Sequence, residues 1–326
     1  WNLLGLLLQD GDFEASRKAH QAALTITEQL VAEFPEDTRY RGELSRACLG
    51  LGVRLCVMGR EKEGEQLLRR GIALFDRASH SEFSFESLDP ALAAQVDAHR
   101  WLGDLARDAG RREEAEQLYD RALQLLQQLA ESAPTSRHVS RINICYDHLT
   151  DLLVQEGESQ QAQEVCRQTL QFWEDLLQSF PDLTHIQNGL AWFLVTCPDP
   201  TFHDAARAVE LMQKAVQDRP DMWEYWNTLG AAHYRAGDWV ASCEALKHAI
   251  RISSGGNGFD WFFLAMAEWK LGHHDEARRW YQRAVEWTRD LRPREEDLKR
   301  FRDEASELLG IEESRAHETT RGFDNL

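Results

Sequence analysis

A pattern of tryptophan, leucine, glycine and alanine recurs in this chain after a shift of 35 residues. The two stretches are WNTLGAAHYRAGDWVASCEALKHAI, residues 226–250, and WFFLAMAEWKLGHHDEARRWYQRAV, residues 261–285. Each places an apolar and small pair before a loop glycine, and further small residues after it. An internal repeat of this length is typical of tandem helix pairs, in which each unit packs only on its neighbours.

The same offsets hold around six glycines that interrupt helical patterning. They are Gly11, Gly59, Gly110, Gly157, Gly237 and Gly272. Leucine stands eight residues before each of them, and a small or nearly small residue follows at five and at twelve. Apolar residues at helical spacing form one face, and small residues let two helix backbones approach closely. Each glycine is therefore expected to end the first helix of a pair in a left-handed conformation.

A seventh unit is expected between the fourth and fifth glycines. Pro198 takes the place of the loop glycine there, and CPDPTFHD, residues 197–204, reads as a longer connection whose prolines stop the preceding helix.

These offsets resemble the tetratricopeptide repeat, W-x-x-L-G-x-x-Y followed by A-x-x-x-F and P. The matching residues are Trp226, Leu229, Gly230 and Ala249, then Trp261, Leu264, Ala277, Tyr281 and Ala284. His233, Ser242 and Glu268 depart from the pattern. The resemblance implies an all-α fold, an α-α superhelix or solenoid of about seven helix pairs plus a C-terminal capping helix.

The spacing of the glycines predicts how the chain is divided. Successive spacings of 48, 51 and 47 exceed the final one of 35, and the excess falls in helical stretches such as 12–34 and 36–58. We expect pairs with long helices over 1–181 and near-standard pairs over 182–290. A capping helix is expected over 291–310 and a disordered tail over 311–326. The stripe of the capping helix comprises Leu298, Phe301, Ala305, Leu308 and Leu309.

Charge and cysteine content exclude several classes of protein. The chain carries 55 acidic and 37 basic residues, a formal charge of −18, which repels nucleic acid and anionic lipid. No uncharged apolar run approaches the roughly 18 residues of a membrane span. The six cysteines have no C-x-x-C pair, which favours buried thiols in a reducing compartment and a cytoplasmic location. Because the chain opens at Trp1 in mid-pattern, we expect it to be a fragment.

From about His185 to Gly310 a narrower resemblance appears. The phrases are GLAWFLVTCPDPTFHDAARAVELMQKAV, YWNTLGAAHYRAGDW and GFDWFFLAMAEWKLGHHDEARRWYQRAVEW. They are similar to the C-terminal repeat region of large bacterial multidomain proteins, many of which have a Ser/Thr protein kinase domain upstream. The resemblance implies a non-catalytic arm of a signalling protein. GDF at 11–13 is not the magnesium motif of a kinase, and no H-R-D loop or V-A-I-K strand appears in this sequence.

Two short segments contain residue types that are used in binding sites. GGNG at 255–258 could offer amides to a phosphate, but no strand precedes it and no lysine follows, so a turn between helix pairs is favoured. HHDE at 273–276 has metal-ligand types, but neighbouring side chains at a helix start diverge. We therefore expect no catalytic, cofactor or metal site. Cys48 and Cys56 share one helical face and are interpreted as core residues.

Binding residues are expected on the first helices of successive pairs, which line a concave groove in the resembled fold. Helical spacing from the packing positions selects one strip in the C-terminal zone. It comprises Asn188, Trp192, Val195, Asn227, Ala231, Tyr234, Arg235, Phe262, Met266, Trp269 and Lys270. Exposed aromatic, amide and basic groups on one surface suit an extended peptide or a helix. In the alternative interpretation, Trp192 and Trp269 only bridge neighbouring pairs.

The favoured function is a non-catalytic scaffold that binds a protein or peptide in this groove. The net charge predicts that a basic partner would associate faster at low salt. In the alternative, the chain is the regulatory portion of a Ser/Thr protein kinase whose catalytic domain lies upstream of residue 1. Oligomeric state is left open by the sequence.

Overall fold

The computed structural model describes residues 13–77, 85–132, 134–290 and 296–311. This part of the chain contains fourteen α-helices and a short 3-10 turn at Pro200–Phe202, and it contains no β-strand. The helices are α1 (Phe13–Glu33), α2 (Thr38–Val57), α3 (Glu61–Arg77), α4 (Phe85–Asp108), α5 (Arg112–Ser132), α6 (Ser136–Gln155), α7 (Ser159–Ser179), α8 (Thr184–Thr196), α9 (Ala205–Asp218), α10 (Trp223–Ala236), α11 (Trp239–Ile252), α12 (Gly258–Lys270), α13 (His274–Asp290) and α14 (Glu296–Leu309). The all-α class and the tandem helix pairs predicted from the sequence are confirmed.

Consecutive helices pack on one another as the repeat predicts. The pairs α2 and α3, α4 and α5, α6 and α7, α10 and α11, and α12 and α13 are in direct contact. The predicted helical stretches at 12–34 and 36–58 correspond to α1 and α2, and the segment predicted to be a longer connection joins α8 to α9. The first helix of the first predicted pair and the tail over 312–326 lie outside the described residues, as does Gly11.

The loop glycines have the conformation that the repeat requires. Five of the six lie in the described part of the chain, and their φ angles are between 70° and 83°. Gly237 shows the consequence, because its N–H donates to the carbonyls of His233 and Tyr234 and so ends α10. Residues with a Cβ disfavour this left-handed region.

Small residues at the repeat offsets bring paired helices together. A Cβ built on Gly230 of α10 would lie 2.5 Å from Leu246 Cγ of α11. Ser242, which departs from the alanine of the repeat pattern, donates its hydroxyl hydrogen to the Gly230 carbonyl at 2.8 Å. The hydroxyl is therefore satisfied within the pair although Ser242 is fully buried.

The helices form two compact units. The first unit comprises the chain up to Gly189 together with residues 197–202. The second unit comprises residues 190–196 and the chain from His203 onward. Helices α1 to α7 have 17 to 24 residues. Helices α8 to α13 have 13 to 17 residues. The domain limits expected from the glycine spacing stay predictions.

The core of the first unit contains apolar clusters and buried cysteine thiols. Leu49, Leu68, Trp101 and Leu102 belong to one cluster that joins α2, α3 and α4. The six cysteines of the chain are buried thiols. Two of them, Cys166 and Cys197, place their Sγ atoms 3.3 Å apart within this unit.

Candidate peptide-binding groove

In the second unit, three first helices share one face. We call it the groove face and define it by residues 190–196 of α8 together with α10 and α12. Arg235 near the end of α10 donates from Nε to the Val195 carbonyl of α8 at 3.1 Å. Trp192 of α8 reaches Phe259 of α12, with ring centroids 5.7 Å apart. The first helices of successive pairs are therefore neighbours here, as the repeat predicts.

The groove face has an aromatic cluster at its centre. Trp192 and Phe263 have ring centroids 6.5 Å apart, and Tyr234 lies 5.7 Å from Phe263. These two ring pairs, and the pair of Trp192 with Phe259, meet edge to face. Ring quadrupoles favour this arrangement. Phe301 of α14 completes the cluster, at 4.9 Å from Phe263. We use the term aromatic cluster for Trp192, Phe259, Phe263 and Phe301.

Arg235 places a positive charge on this face. Its guanidinium carbon lies 5.5 Å from the ring centroids of Tyr234 and Phe263. It also forms a bidentate ion pair with the Glu304 carboxylate of α14, with one N–O distance of 2.7 Å. Burial, and then the nearby Glu304 carboxylate, raise the pKa of Tyr234 to about 12, so its hydroxyl stays protonated at neutral pH.

The expected exposure is wrong for six of the eleven predicted residues. Trp192, Val195, Asn227, Ala231, Phe262 and Met266 are buried. For Phe262 and Met266 the reason is that α12 is covered on several sides, by α10, α11, α13 and α14, which leaves eleven of its thirteen residues buried. For Trp192 the structure favours the alternative interpretation, because its ring packs on Phe259, Phe263 and Phe301.

The predicted strip on α12 is also rotated away from the groove face. Phe262 packs on Tyr281 of α13, with ring centroids 5.9 Å apart. Trp269 stacks on His274 at 4.0 Å and lies under the Arg278 guanidinium at 5.3 Å. Both side chains therefore contact the second helix of their own pair. Successive side chains on a helix are rotated by about 100° around its axis. The choice of Phe262 in place of Phe263 therefore placed the predicted strip on another face of α12.

The remaining predicted residues are at least partly exposed. Asn188 is half-buried and belongs to the other unit. Tyr234 and Arg235 are half-buried on the groove face, and Lys270 is exposed at the end of α12. Lys270 follows Phe263 by seven residues, two helical turns, so it lies on the same side of α12 as the aromatic cluster. Their role in binding stays a prediction.

Asn227 was expected to be exposed, but its side chain is buried in a contact with Asp260. Its Nδ2 donates to Asp260 Oδ1 at 2.7 Å, while Asp260 Oδ2 accepts from the Asn257 amide at 2.9 Å. Asp260 thereby completes the capping box at the start of α12. Burial raises the pKa of the Asp260 carboxyl to about 7, an effect that the Asn227 and Asn257 hydrogen bonds oppose only in part.

This shift predicts how stability depends on pH. Because the pKa of Asp260 is raised in the folded state, protonation of its carboxyl group stabilises the fold. This stabilisation is complete below the unfolded pKa near 3.8 and is lost as pH rises to about 7. The loss is at most about 1.4 kcal/mol per pH unit. Asp260→Asn should remove this slope in urea unfolding at pH 5 to 7. Asp275→Asn, at a position 94% exposed, is the control, and equal slopes in both variants would contradict the assignment.

The sequence analysis did not select Phe259 and Phe263 of the groove face, or Glu304 of α14. The apolar stripe of α14 did include Phe301, and α14 covers the last helix pair as expected, in more extensive contact with the first helix α12 than with the second helix α13. The Phe301 ring packs on Trp192 of α8 and on both phenylalanine rings of α12.

The two short segments with binding-type residues have internal contacts. In GGNG, the Gly256 amide donates to Ser253 Oγ at 3.0 Å and the Asn257 amide donates to Asp260. These amides are used within the turn, as the favoured interpretation expects. In HHDE, His273 Nδ1 lies 2.7 Å from Glu268 Oε2 and His274 stacks on Trp269.

Two negative findings apply to the described ranges. Within them, no three His, Cys, Asp or Glu side chains converge as a metal site would require. None of the helices described is long and apolar enough to cross a bilayer.

The fold and the groove face define a protein built from tandem helix-pair repeats. Models of the tetratricopeptide repeat match residues 57–134, 202–257 and 258–291, which together are more than half of the chain. The chain therefore belongs to the tetratricopeptide-repeat proteins. No curated protein matches it.

Several solved structures are similar at low identity. BtubC (BKLC) from P. vanneervenii is 17% identical, with 74% of this chain and 91% of that chain covered and a TM-score of 0.46. A thermophilic TPR protein of Thermus thermophilus is 18% identical, with 64% and 98% covered and a TM-score of 0.39. PilF of Pseudomonas aeruginosa is 15% identical, with 81% and 99% covered and a TM-score of 0.41. The family assignment rests on the repeat models alone.

Proposed function

We propose that this chain is a non-catalytic scaffold that binds a protein or peptide through the groove face of its second unit. The observation that supports this most is the convergence, on one face, of aromatic rings and the Arg235 guanidinium from the three first helices α8, α10 and α12. Aromatic rings and arginine supply most of the binding energy at protein interfaces. Tyr234 is partly exposed beside Phe263, and Lys270 is exposed on the same side of α12, so a partner would make its first contacts there.

Finer parts of the proposal rest on sequence. A cytoplasmic location follows from the cysteine pattern, and the net charge of −18 predicts faster association with a basic partner at low salt. A bacterial signalling protein with a Ser/Thr kinase domain is implied only by the resemblance of the C-terminal phrases. The reading frame upstream of Trp1 would test it.

The proposal predicts that a partner contacts the edge of the groove face. A photo-cross-linking amino acid at position 270 should capture a discrete protein in cells of the source organism. The same group at position 282, which is exposed on the second helix α13, should capture it at least about tenfold less. Lys270 and Gln282 both have long, exposed side chains, so neither substitution should disturb folding. Equal capture at both positions, or capture at neither, would contradict binding at this face.

A further inference from the structure

Helix α14 has the form of a groove ligand. Its buried residues Leu298, Phe301, Ala305 and Leu309 are spaced by three, four and four positions, so they form one stripe. Each of them is at most 5% exposed. The remaining face is mainly charged. An amphipathic helix with this spacing is the form in which many separate partners bind apolar grooves.

The stripe meets two first helices, α8 and α12. The Phe301 ring lies 4.9 Å from Phe263, 5.9 Å from Phe259 and 6.2 Å from Trp192 between centroids. Leu298 and Trp287 of α13 both pack where α12 has Gly258, since a Cβ built on that glycine would lie 3.1 Å from Leu298 Cδ2 and 2.9 Å from the Trp287 ring. The α12 backbone therefore admits close neighbours from both α13 and α14 at this point.

A charged contact fixes the position of α14 along the groove face. Arg235 donates two hydrogen bonds to the Glu304 carboxylate and a third to the Val195 carbonyl. Its side chain is only 19% exposed, and that of Glu304 is 34% exposed. Bidentate pairs of this kind restrict geometry as well as adding attraction. A helix that binds here must therefore present a carboxylate three residues after its aromatic residue.

We propose, on the basis of the proposed function, that the groove face recognises an amphipathic helix of the pattern L-x-x-F-x-x-E-A-x-x-x-L and that α14 is its built-in occupant. The partner is a separate protein whose helix has this pattern and displaces α14. Its local carboxylate pairs with Arg235, whereas the net charge of the chain acts at long range on the rate of encounter.

Occupation by α14 sets the affinity that a partner can show. Because α14 belongs to the same chain as the groove face, it competes with a partner as an intramolecular ligand, with an effective concentration on the order of millimolar. The apparent dissociation constant of a partner equals its intrinsic value divided by the fraction of molecules with an open groove. Removing α14 from the groove should therefore strengthen partner binding at least about tenfold.

The test uses the full chain and a fluorescent peptide with the sequence of residues 294–311. The unseated variant is Phe301→Ala with Glu304→Ala, and Glu307→Ala, at an exposed position of the same helix, is the matched control. The peptide should bind the unseated variant with a dissociation constant at least about tenfold lower than it shows for the wild type or the control. Circular dichroism checks that helical content is retained.

A charge exchange tests the register. Adding Arg235→Glu to the unseated variant should abolish binding of the natural peptide, and a peptide with Glu304→Arg should restore it. Should the unseated variant fail to fold, excess unlabelled peptide added to the wild type should accelerate hydrogen exchange of the α14 amides.

Three results would overturn the inference. The first is a folded, unseated chain that does not bind the peptide, and the second is binding that is indifferent to the charge exchange. The third is dimerisation of the wild type that requires Phe301, which would assign the groove to a second copy of this chain. If a partner is captured at position 270 but the peptide does not bind, the proposed function stands and only this inference is rejected.

Discussion

Replacing Phe263 with alanine should lower the free energy of unfolding by about 3–5 kcal/mol, the usual cost of removing a buried phenylalanine. Its side chain is fully buried, and the rings of Phe301 and Tyr234 lie 4.9 Å and 5.7 Å away between centroids. The deletion would leave a cavity between rings from three helices, which limits how far the site can collapse. Urea unfolding of the full chain measures the loss.

Phe262→Ala is the matched control for this prediction. Phe262 is the same residue type, one position away and also fully buried, but it packs on Tyr281 of α13. Both variants should lose similar stability, whereas only Phe263→Ala should accelerate hydrogen exchange in α14 under native conditions. Equal acceleration in the two variants would mean that α14 does not depend on the aromatic cluster.

A second large loss, again about 3–5 kcal/mol, is expected from Asp104→Ala in the first unit. Asp104 is fully buried and accepts from the Tyr119 hydroxyl at 2.8 Å. His148 Nδ1 lies 2.8 Å from the same carboxylate, and Arg100 donates to it at 3.1 Å. Removing the carboxylate would leave a largely buried arginine without its charge partner, which costs more than the pair itself contributes.

The pKa of Asp104 gives the same prediction a pH dependence. Burial alone would raise this pKa, but His148, Arg100 and Arg107 lower it to about 2. Because the folded pKa is depressed, the contribution is complete above the unfolded value near 3.8 and is lost as pH falls toward 2. Asp104→Ala should therefore cost less stability near pH 2 than at pH 6.

The control for the second prediction is Asp108→Ala on the same helix. Asp108 is exposed and pairs with Arg107 at 3.1 Å, an ion pair of the kind that contributes about 0–1 kcal/mol. A loss at Asp104 no larger than that at Asp108 would contradict the buried network.

The helix pairs could be predicted because their signals are local. A glycine that ends a helix, the small residue before it and the small residues five and twelve positions later act within one pair of neighbouring helices. The φ of Gly237 and the contact of Gly230 with Leu246 are direct outcomes of those offsets. Contacts between residues far apart in sequence leave no such trace. Asp104 and His148 are 44 residues apart, and nothing in either helix indicates that they meet.

The position of the groove residues could be predicted only in part. The sequence indicated the correct first helices, but a one-residue choice on α12 selected Phe262, which lies inside the pair. The stripe of α14 was evident, yet which surface it covers depends on aromatic rings contributed by α8 and α12. The burial of Trp192 follows from the same packing, so an exposed tryptophan could not be told from a bridging one by spacing alone.

Nuclear Overhauser contacts from the Phe301 ring measure whether α14 lies on the groove face. In the full chain with selectively protonated aromatic residues, Phe301 should show contacts to Phe263, Phe259 and Trp192. Contacts from Phe301 to the rings of α13 instead, or to no ring of α8 or α12, would contradict this position of α14.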